Sequence, residues 1–410
     1  MGRPAGEVLG DDRAEQLLER ARGHRDAMVA QLVAMAEMES PSADPQSQQP
    51  LLAHLQDELE ARGFRVVRRA GTRTGGYLVA APRPTGVRPF QTMVGHVDTV
   101  WPRGTLAERP VVVDDDVMHG PGTFDMKAGL VSVLTAIDVL TALGEHPVVT
   151  PVVCVNSDEE IGSRESTAAI RTLAARSDRV FVLEPSLGRR GALKTARKGL
   201  GRYTVTVHGK AAHAGLDPTA GASAILELSG VIQSLFALND HERGVTVNVG
   251  MVSGGIQPNV VAPQSSAVVD VRVLTTEDAE AVDAAIRSLR ARTPGTSLTV
   301  EGGMGRPPLE RTERNRSLYE QAVGVAAGMG LDLDEATAGG GSDGNTASQL
   351  APTLDGLGAV GDGAHAEHEQ VYLPGWVERA ALLAGLLLLP AVRADQEPGV
   401  ADPLALLPGS

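Results

Sequence analysis

From Thr92 to Thr99 the sequence runs Thr-Met-Val-Gly-His-Val-Asp-Thr, an apolar run that closes on His96-x-Asp98. The run reads as a buried strand, and the two-residue period of a strand sets His96 and Asp98 on the same side of the extended chain. An imidazole beside a carboxylate at a strand's end can ligate a metal, with the acid orienting the ring from behind. Alone, such a triplet is more often a surface hydrogen-bond pair. What decides is whether other strand ends supply further donors.

They do. Asp125 lies in a polar, glycine-rich stretch, His119 to Lys127, just ahead of an apolar helical pattern from about Ala128 to Leu143. Its simplest role is a helix N-cap. The near-continuous apolar run Val148 to Asn156 is typical of a strand buried on both faces. It leads into Asp158-Glu159-Glu160, three consecutive acids that form either a solvated turn or a seat for a cation. A third apolar strand, Arg179 to Leu183, ends in Glu184-Pro185, and His365 stands in a loop opened by Gly361-Asp362-Gly363. The set is two histidines and five acids: His96, Asp98, Asp125, Glu159, Glu160, Glu184 and His365. A site with two divalent cations about 3.5 Å apart could use a bridging carboxylate and a histidine plus a carboxylate for each metal. It also uses an outer acid to act on water and an acid behind one histidine. The inventory fits without remainder.

These residues need a scaffold that gathers strand ends. Helical periods over Arg13–Glu39 and Leu51–Gly63 precede strands at Phe64–Arg69, Tyr77–Ala81 and the one ending at His96. Strand–helix–strand alternation then predicts a parallel sheet with working residues at the strands' carboxyl ends. Near residue 198 the texture changes to an alternating, amphipathic strand, and the order βαββαβ up to Glu301 predicts a small inserted α+β domain. The expected division is a catalytic domain in two parts, 1–197 and 307–390, an inserted dimerisation or lid domain at 198–306, and a C-terminal tail at 391–410. The second part opens with a helix near Asn315–Gly328, has a strand at Leu354–Val360 and closes with a helix from Leu373 to Leu389.

Composition narrows the function. The 410 residues are 42% hydrophobic and 21% charged, with a net charge of -14, so a binder of nucleic-acid phosphates is not expected. The single cysteine, Cys154, rules out an intrachain disulfide and a cysteine-based metal cluster. The longest apolar stretch, Ala380 to Pro390, is too short to span a membrane, and the opening Met-Gly-Arg-Pro does not read as a signal peptide. A cytoplasmic location without membrane partners is the simplest expectation.

The motifs, taken in order, carry a resemblance. They are Gly-His-Val-Asp at 95–98, Gly-Thr-Phe-Asp-Met-Lys at 122–127, Asp-Glu-Glu-Ile-Gly-Ser at 158–163 and Glu184-Pro185. Gly-Lys-Ala-Ala-His-Ala-Gly at 209–215 and Gly-Ala-His at 363–365 complete them. Over about residues 15 to 390 the chain resembles the dinuclear zinc exopeptidases and amidohydrolases related to glutamate carboxypeptidase, acetylornithine deacetylase, succinyl-diaminopimelate desuccinylase and aminoacylase-1. The resemblance implies an α/β fold, a mixed sheet flanked by helices, with the inserted α+β domain mediating a homodimer.

The same resemblance implies roles. His96 and Glu184 would hold one zinc, Glu160 and His365 the other, and Asp125 would bridge them; Co2+ or Mn2+ can take the place of zinc. Asp98 would hydrogen-bond the far nitrogen of His96, and a cis peptide is expected at Asp125–Met126. Glu159 would move the proton from a zinc-bridging hydroxide's parent water to the leaving amine. His213 would stabilise the oxyanion, within its own subunit or its partner's. Asn259, Arg272, Gly340, Ser342 and Arg306 would contact substrate, with the alternation around Arg272 equally consistent with an outward sheet residue. The implied reaction is hydrolysis of an amide or peptide bond next to a free carboxylate, in a small peptide or N-acyl amino acid. An aminopeptidase or dipeptidase acting on free N-termini, and a catalytically silent dimeric ligand binder, are the alternatives.

Overall fold

The computed structural model describes residues 9–83, 89–392 and 402–407. The sequence of residues 1–12 reads as a frayed terminus; residues 1–8 lie outside the described residues, and helix begins at Asp11. The chain forms two compact units, one of residues 1–195, 311–337 and 342–410, the other of 196–310 and 338–341.

In the first unit α1 (Asp11–Gly23) and α2 (Arg25–Ala36) replace the single expected helix, because the chain breaks at Gly23-His24, where glycine is a weak helix former. Helix α3 (Pro45–Ala61) starts six residues ahead of expectation. Its signal is Asp44-Pro45: the Asp44 carboxylate accepts the N–H groups of Gln46 and Ser47, and proline at the first helical position lacks the N–H that would go unpaired. The strands β1 (Phe64–Arg69), β2 (Tyr77–Pro82) and β3 (Phe90–His96) follow, then α4 (Thr105–Glu108), β4 (Val112–Asp114) and β5 (Val117–His119). Next come α5 (Ala128–Ala142), β6 (Thr150–Asn156), α6 (Thr167–Ala174), β7 (Ser177–Val182) and β8 (Leu193–Arg197).

The second unit contributes β9 (Gly199–His208), α7 (Ala224–Phe236), β10 (Thr246–Gly254), β11 (Gln264–Val273), α8 (Thr276–Arg287) and β12 (Ser297–Arg306). The first unit resumes with α9 (Glu313–Gly328), and β13 (Glu335–Ala338), α10 (Asp343–Ala347), β14 (Thr353–Leu354), β15 (Gly361–Asp362), β16 (Gln370–Tyr372) and α11 (Leu373–Leu387) follow. The strand expected at Leu354–Val360 shrinks to the two residues of β14, and the rest of that apolar run is buried irregular chain.

The central sheet has the order β1-β2-β6-β3-β7-β14. Strands β6, β3, β7 and β14 run parallel, while β1 and β2 are antiparallel to their neighbours. Alternate side chains feed two cores, one on each face, as the two-residue period requires. Leu78, Ala80, Val153 and Val155 join a core with α1, α5 and α11. Tyr77, Val79, Val152 and Cys154 join another with α6 and with Leu404 and Leu407 of a short C-terminal turn. Residues 402–407 of the C-terminal tail form that turn; residues 393–401 and 408–410 lie outside the described residues. Register aligns the carboxyl ends: His96 pairs with Asn156, and Val94 with Val182. Three donor-bearing segments therefore leave the sheet side by side. A smaller sheet of order β15-β16-β5-β4 flanks the segment holding His365.

The second unit has the expected βαββαβ order and an antiparallel sheet, β10-β11-β9-β12. Tyr203, Val205 and Val207 of β9 bury one face against Leu228 and Val231 of α7 and Val282 and Ile286 of α8. Among the described residues no helix is long and apolar enough to cross a membrane.

Candidate metal centre

His96 ends β3 and is 1% exposed. Its Nδ1 lies 2.9 Å from the main-chain oxygen of Asp98. A carbonyl oxygen only accepts, so Nδ1 carries the hydrogen and the lone pair of the neutral ring is on Nε2. Nε2 faces Asp125 Oδ1 at 3.5 Å and Glu184 Oε1 at 3.4 Å. Neither His96 Nε2 nor Asp125 Oδ1 has a hydrogen-bond partner, although both are buried. A buried lone pair against two carboxylates is repulsive unless a proton or a metal ion sits between them. Burial opposes the imidazolium, but Asp125, Asp98 and Glu184 outweigh it and hold the His96 pKa well above its ordinary value.

Asp125 follows a left-handed glycine, Gly122 at φ 71°, and its peptide bond to Met126 is cis, as the family resemblance implies. Helix α5 starts only at Ala128 and takes no side-chain cap, so the simplest reading of Asp125 as an N-cap is corrected. Its second oxygen, Oδ2, lies 3.3 Å from His365 Nε2. Burial works to raise the Asp125 pKa, yet His365 and His96 pull it well below the carboxylate range.

Glu159 and Glu160 leave β6 in a single 3-10 turn. The three acids divide their work. Asp158 is buried and accepts the Glu165 N–H at 2.7 Å and the Ser166 hydroxyl at 2.6 Å, tying down the approach to α6. Glu160 lies 3.0 Å from His365 Nε2 with its side chain only 7% exposed, which corrects the reading of a solvated turn. Burial raises the Glu160 carboxyl while His365 pulls it down. Hydrogen bonds that His365 donates to the Asp125 and Glu160 carboxylates hold its pKa up at about 11. Two groups result, each with its ligand atoms within 4.8 Å of one another: His96 with Glu159 and Glu184, and His96 with Asp125 and Glu160. This donor set of imidazole nitrogens and carboxylate oxygens suits zinc and similar divalent ions.

Asp98 reaches His96 with both its main chain and its carboxylate. The imidazole takes its main-chain oxygen, and the carboxylate stands 3.4 Å from Nδ1. That carboxylate is engaged elsewhere, accepting the N–H of Glu159 and of Glu160, both at 3.2 Å, and the Ser42 hydroxyl at 2.8 Å. Asp98 thus fixes the turn that presents both glutamates. Ser342 is also corrected as a substrate contact: it is fully buried, caps α10, and donates its hydroxyl to Asp355 at 2.6 Å.

The remaining candidates belong to the second unit. The exposed His213 accepts the N–H groups of Gly215 and Leu216 on Nδ1, both at 3.1 Å, which leaves the ring hydrogen on Nε2. It pairs with Val260, so Asn259 is its neighbour. Arg272 alternates with buried valines; its guanidinium reaches Asp270 at 3.0 Å and the Gly339 oxygen at 2.9 Å. A Cβ at Gly340 would meet nothing, whereas one at Gly341 would lie 3.0 Å from Leu200 and 3.4 Å from Arg306. Sequence reasoning passed over Arg197, which donates to the oxygens of Gly340 and Gly341 at 3.3 Å each. It also missed Glu369, whose buried carboxylate gathers the N–H groups around Asp125; its only sequence signal is an acid four residues after the histidine of Gly-Ala-His.

Residues 195–295 match the family model of the peptidase dimerisation domain of M20 enzymes. Carboxypeptidase G2 from Pseudomonas sp. is 28% identical over 394 residues, covering 94% of each chain. Acetylornithine deacetylase from Myxococcus xanthus is 28% identical across 64% of this chain and 71% of its own. Two solved structures share the fold. Aminopeptidase PepT from Bacillus cereus has a TM-score of 0.75 at 22% identity, covering 89% of this chain and 98% of its own. The M20 metallo-carboxypeptidase Sso-CP2 from Sulfolobus solfataricus has a TM-score of 0.68 at 15% identity, covering 88% and 98%. Residues 195–295 thus carry a peptidase dimerisation domain of the M20 type, and the likeness to carboxypeptidase G2 along nearly the whole chain supports a hydrolase of peptide or amide bonds.

Proposed function

We propose that this enzyme holds two zinc ions and hydrolyses an amide or peptide bond adjacent to a free carboxylate, as a carboxypeptidase or N-acyl-amino-acid amidohydrolase. The observation that carries the two-metal reading is the placement of Asp125, with Oδ1 toward His96 and Oδ2 toward His365. One carboxylate between two histidines is the arrangement a metal bridge needs. His96 and Glu184 are assigned to one ion, Glu160 and His365 to the other. Bound there, divalent ions polarise the scissile carbonyl and make a water acidic enough to attack it.

The protein's own groups do the rest. Glu159 takes a proton from the attacking water and returns it to the leaving nitrogen. The Asp98 main chain keeps the His96 tautomer, and its carboxylate keeps Glu159 in place. His213, with its hydrogen on Nε2, is assigned as donor to the developing oxyanion. The carboxylate preference draws on the similarity to carboxypeptidase G2 over nearly the whole chain, with Asn259, Arg272 and Arg306 as its proposed contacts.

We assign the second unit to homodimerisation. Its edge strand β10 exposes Met251 and Val252, at 69% and 59%, and α7 exposes Leu226 at 63%. An open strand edge with apolar side chains suits pairing with a second copy.

The deciding experiment compares dipeptides acylated at the N-terminus with the same dipeptides amidated at the C-terminus, in the presence of zinc. Hydrolysis of the acylated set only is the expected result. Hydrolysis of the amidated set only overturns the carboxylate requirement in favour of an aminopeptidase.

A further inference from the structure

Glu369 is 3% exposed and lies just before β16, four residues past His365. Its Oε1 accepts the main-chain N–H of Phe124 at 2.9 Å and of Asp125 at 3.0 Å. Oε2 accepts the N–H of Gly122 at 2.8 Å and the indole N–H of Trp101 at 2.7 Å. No salt bridge reaches this carboxylate among the described residues; the buried Lys127, which feels its charge, donates to the Met38 oxygen at 2.9 Å. Burying a carboxylate is costly unless its lone pairs are used. Here four N–H groups use them, and three belong to the four-residue segment that ends at Asp125.

The turn that carries Glu369 also holds His365. Residues 363–369 fold into a tight turn, with the Ala366 N–H donating to the Gly363 oxygen at 2.8 Å and the Glu369 N–H to the Ala366 oxygen at 3.0 Å. Gly363, at φ 82°, permits this closeness, since a Cβ there would lie 2.9 Å from the Glu369 nitrogen. One short turn therefore presents His365 to Asp125 Oδ2 and grips the main chain of Asp125. No neutral side chain could replace Glu369 here. Glutamine offers one oxygen, and its amide would turn N–H groups toward N–H groups.

We propose that Glu369 is a positioning residue that sets Asp125 against both histidines, and so governs metal affinity without touching a metal. The proposal rests on reading Asp125 as the bridge, and the test separates the two. Full-length wild type, Asp125→Asn, Glu369→Gln, Glu369→Asp and Trp101→Phe are compared by chelator competition for zinc, by hydrogen exchange of residues 120–127, and by kcat and KM. Glu369→Gln should weaken zinc about 10- to 100-fold, the range seen when a group behind a ligand is lost. It should also speed exchange at residues 122–125 and lower kcat more than it raises KM. Glu369→Asp should recover part of the affinity, and Trp101→Phe, which spares the main-chain bonds, should cost less than Glu369→Gln. Wild-type zinc affinity in Glu369→Gln, with or without a lower Tm, overturns the proposal, as does a Trp101→Phe loss equal to that of Glu369→Gln. If Glu369→Gln does not fold, unchanged zinc affinity and exchange in Glu369→Asp overturn it instead. Undiminished binding of both zinc ions by Asp125→Asn overturns the bridge reading itself.

Discussion

His365 Nε2 lies 3.0 Å from Glu160 Oε2, although 205 residues of chain separate the two. The glutamate arrives on the turn after a central parallel strand, the histidine on a loop between two strands of a peripheral sheet. Neither position means much without the other. Together with Asp125 they form one half of the proposed two-metal centre, and that half can be removed by itself.

Wild-type enzyme dialysed against zinc should carry two equivalents per chain by elemental analysis. His365→Ala should retain about one. Chelation should abolish hydrolysis in the wild type, and zinc or cobalt should restore it. Full activity after complete metal removal would contradict the proposed chemistry.

Glu159→Gln keeps the shape of the side chain and removes its basicity. General acid–base groups typically contribute about 10²- to 10⁴-fold, so kcat should drop by that order while both zinc ions stay bound. A variant with near-normal kcat would assign the proton transfer to another group.

Gly129 lies in the first turn of α5, where alanine would ordinarily stabilise a helix by about 0.5–1 kcal/mol. Here an added Cβ would stand 2.1 Å from the Leu183 oxygen and 2.8 Å from Met126 Cε. The clash presses on the residue before Glu184 and on the one after Asp125. Overpacking of this kind costs about 1–3 kcal/mol, so Gly129→Ala should lower Tm and weaken zinc together. A raised Tm would show that α5 has room to shift.

Glu165 accepts the N–H groups of Thr72, Arg73 and Thr74 and both threonine hydroxyls. Burial alone would raise its pKa, but these bonds outweigh it and bring it to about 2. Because the folded value lies below the ordinary 4.5, the stabilisation is complete above about pH 4.5 and is lost as pH falls toward 2. Glu165→Gln should therefore be less stable than wild type at pH 7, with the gap closing between pH 4.5 and 2 in denaturant melts. A gap independent of pH would remove the carboxylate as its cause.

Donor chemistry and its place at strand ends were legible in the sequence. Apolar runs that stop at His96, at Asn156 ahead of Glu159-Glu160, and at Leu183 ahead of Glu184 announce parallel strands, and the two-residue period is a local property of the chain. The βαββαβ order of the second unit was legible for the same reason. Only the tertiary structure decided how the donors are held. It made Asp98, beside His96, also the anchor of the glutamate turn, buried Ser342 as a cap, and brought Glu369 beneath Asp125. Those bonds run to main-chain N–H and C=O groups, which every residue carries, and they span long stretches of chain. A residue's type says what it can donate or accept; which backbone lies within 3 Å of it is settled by the packing of the whole unit.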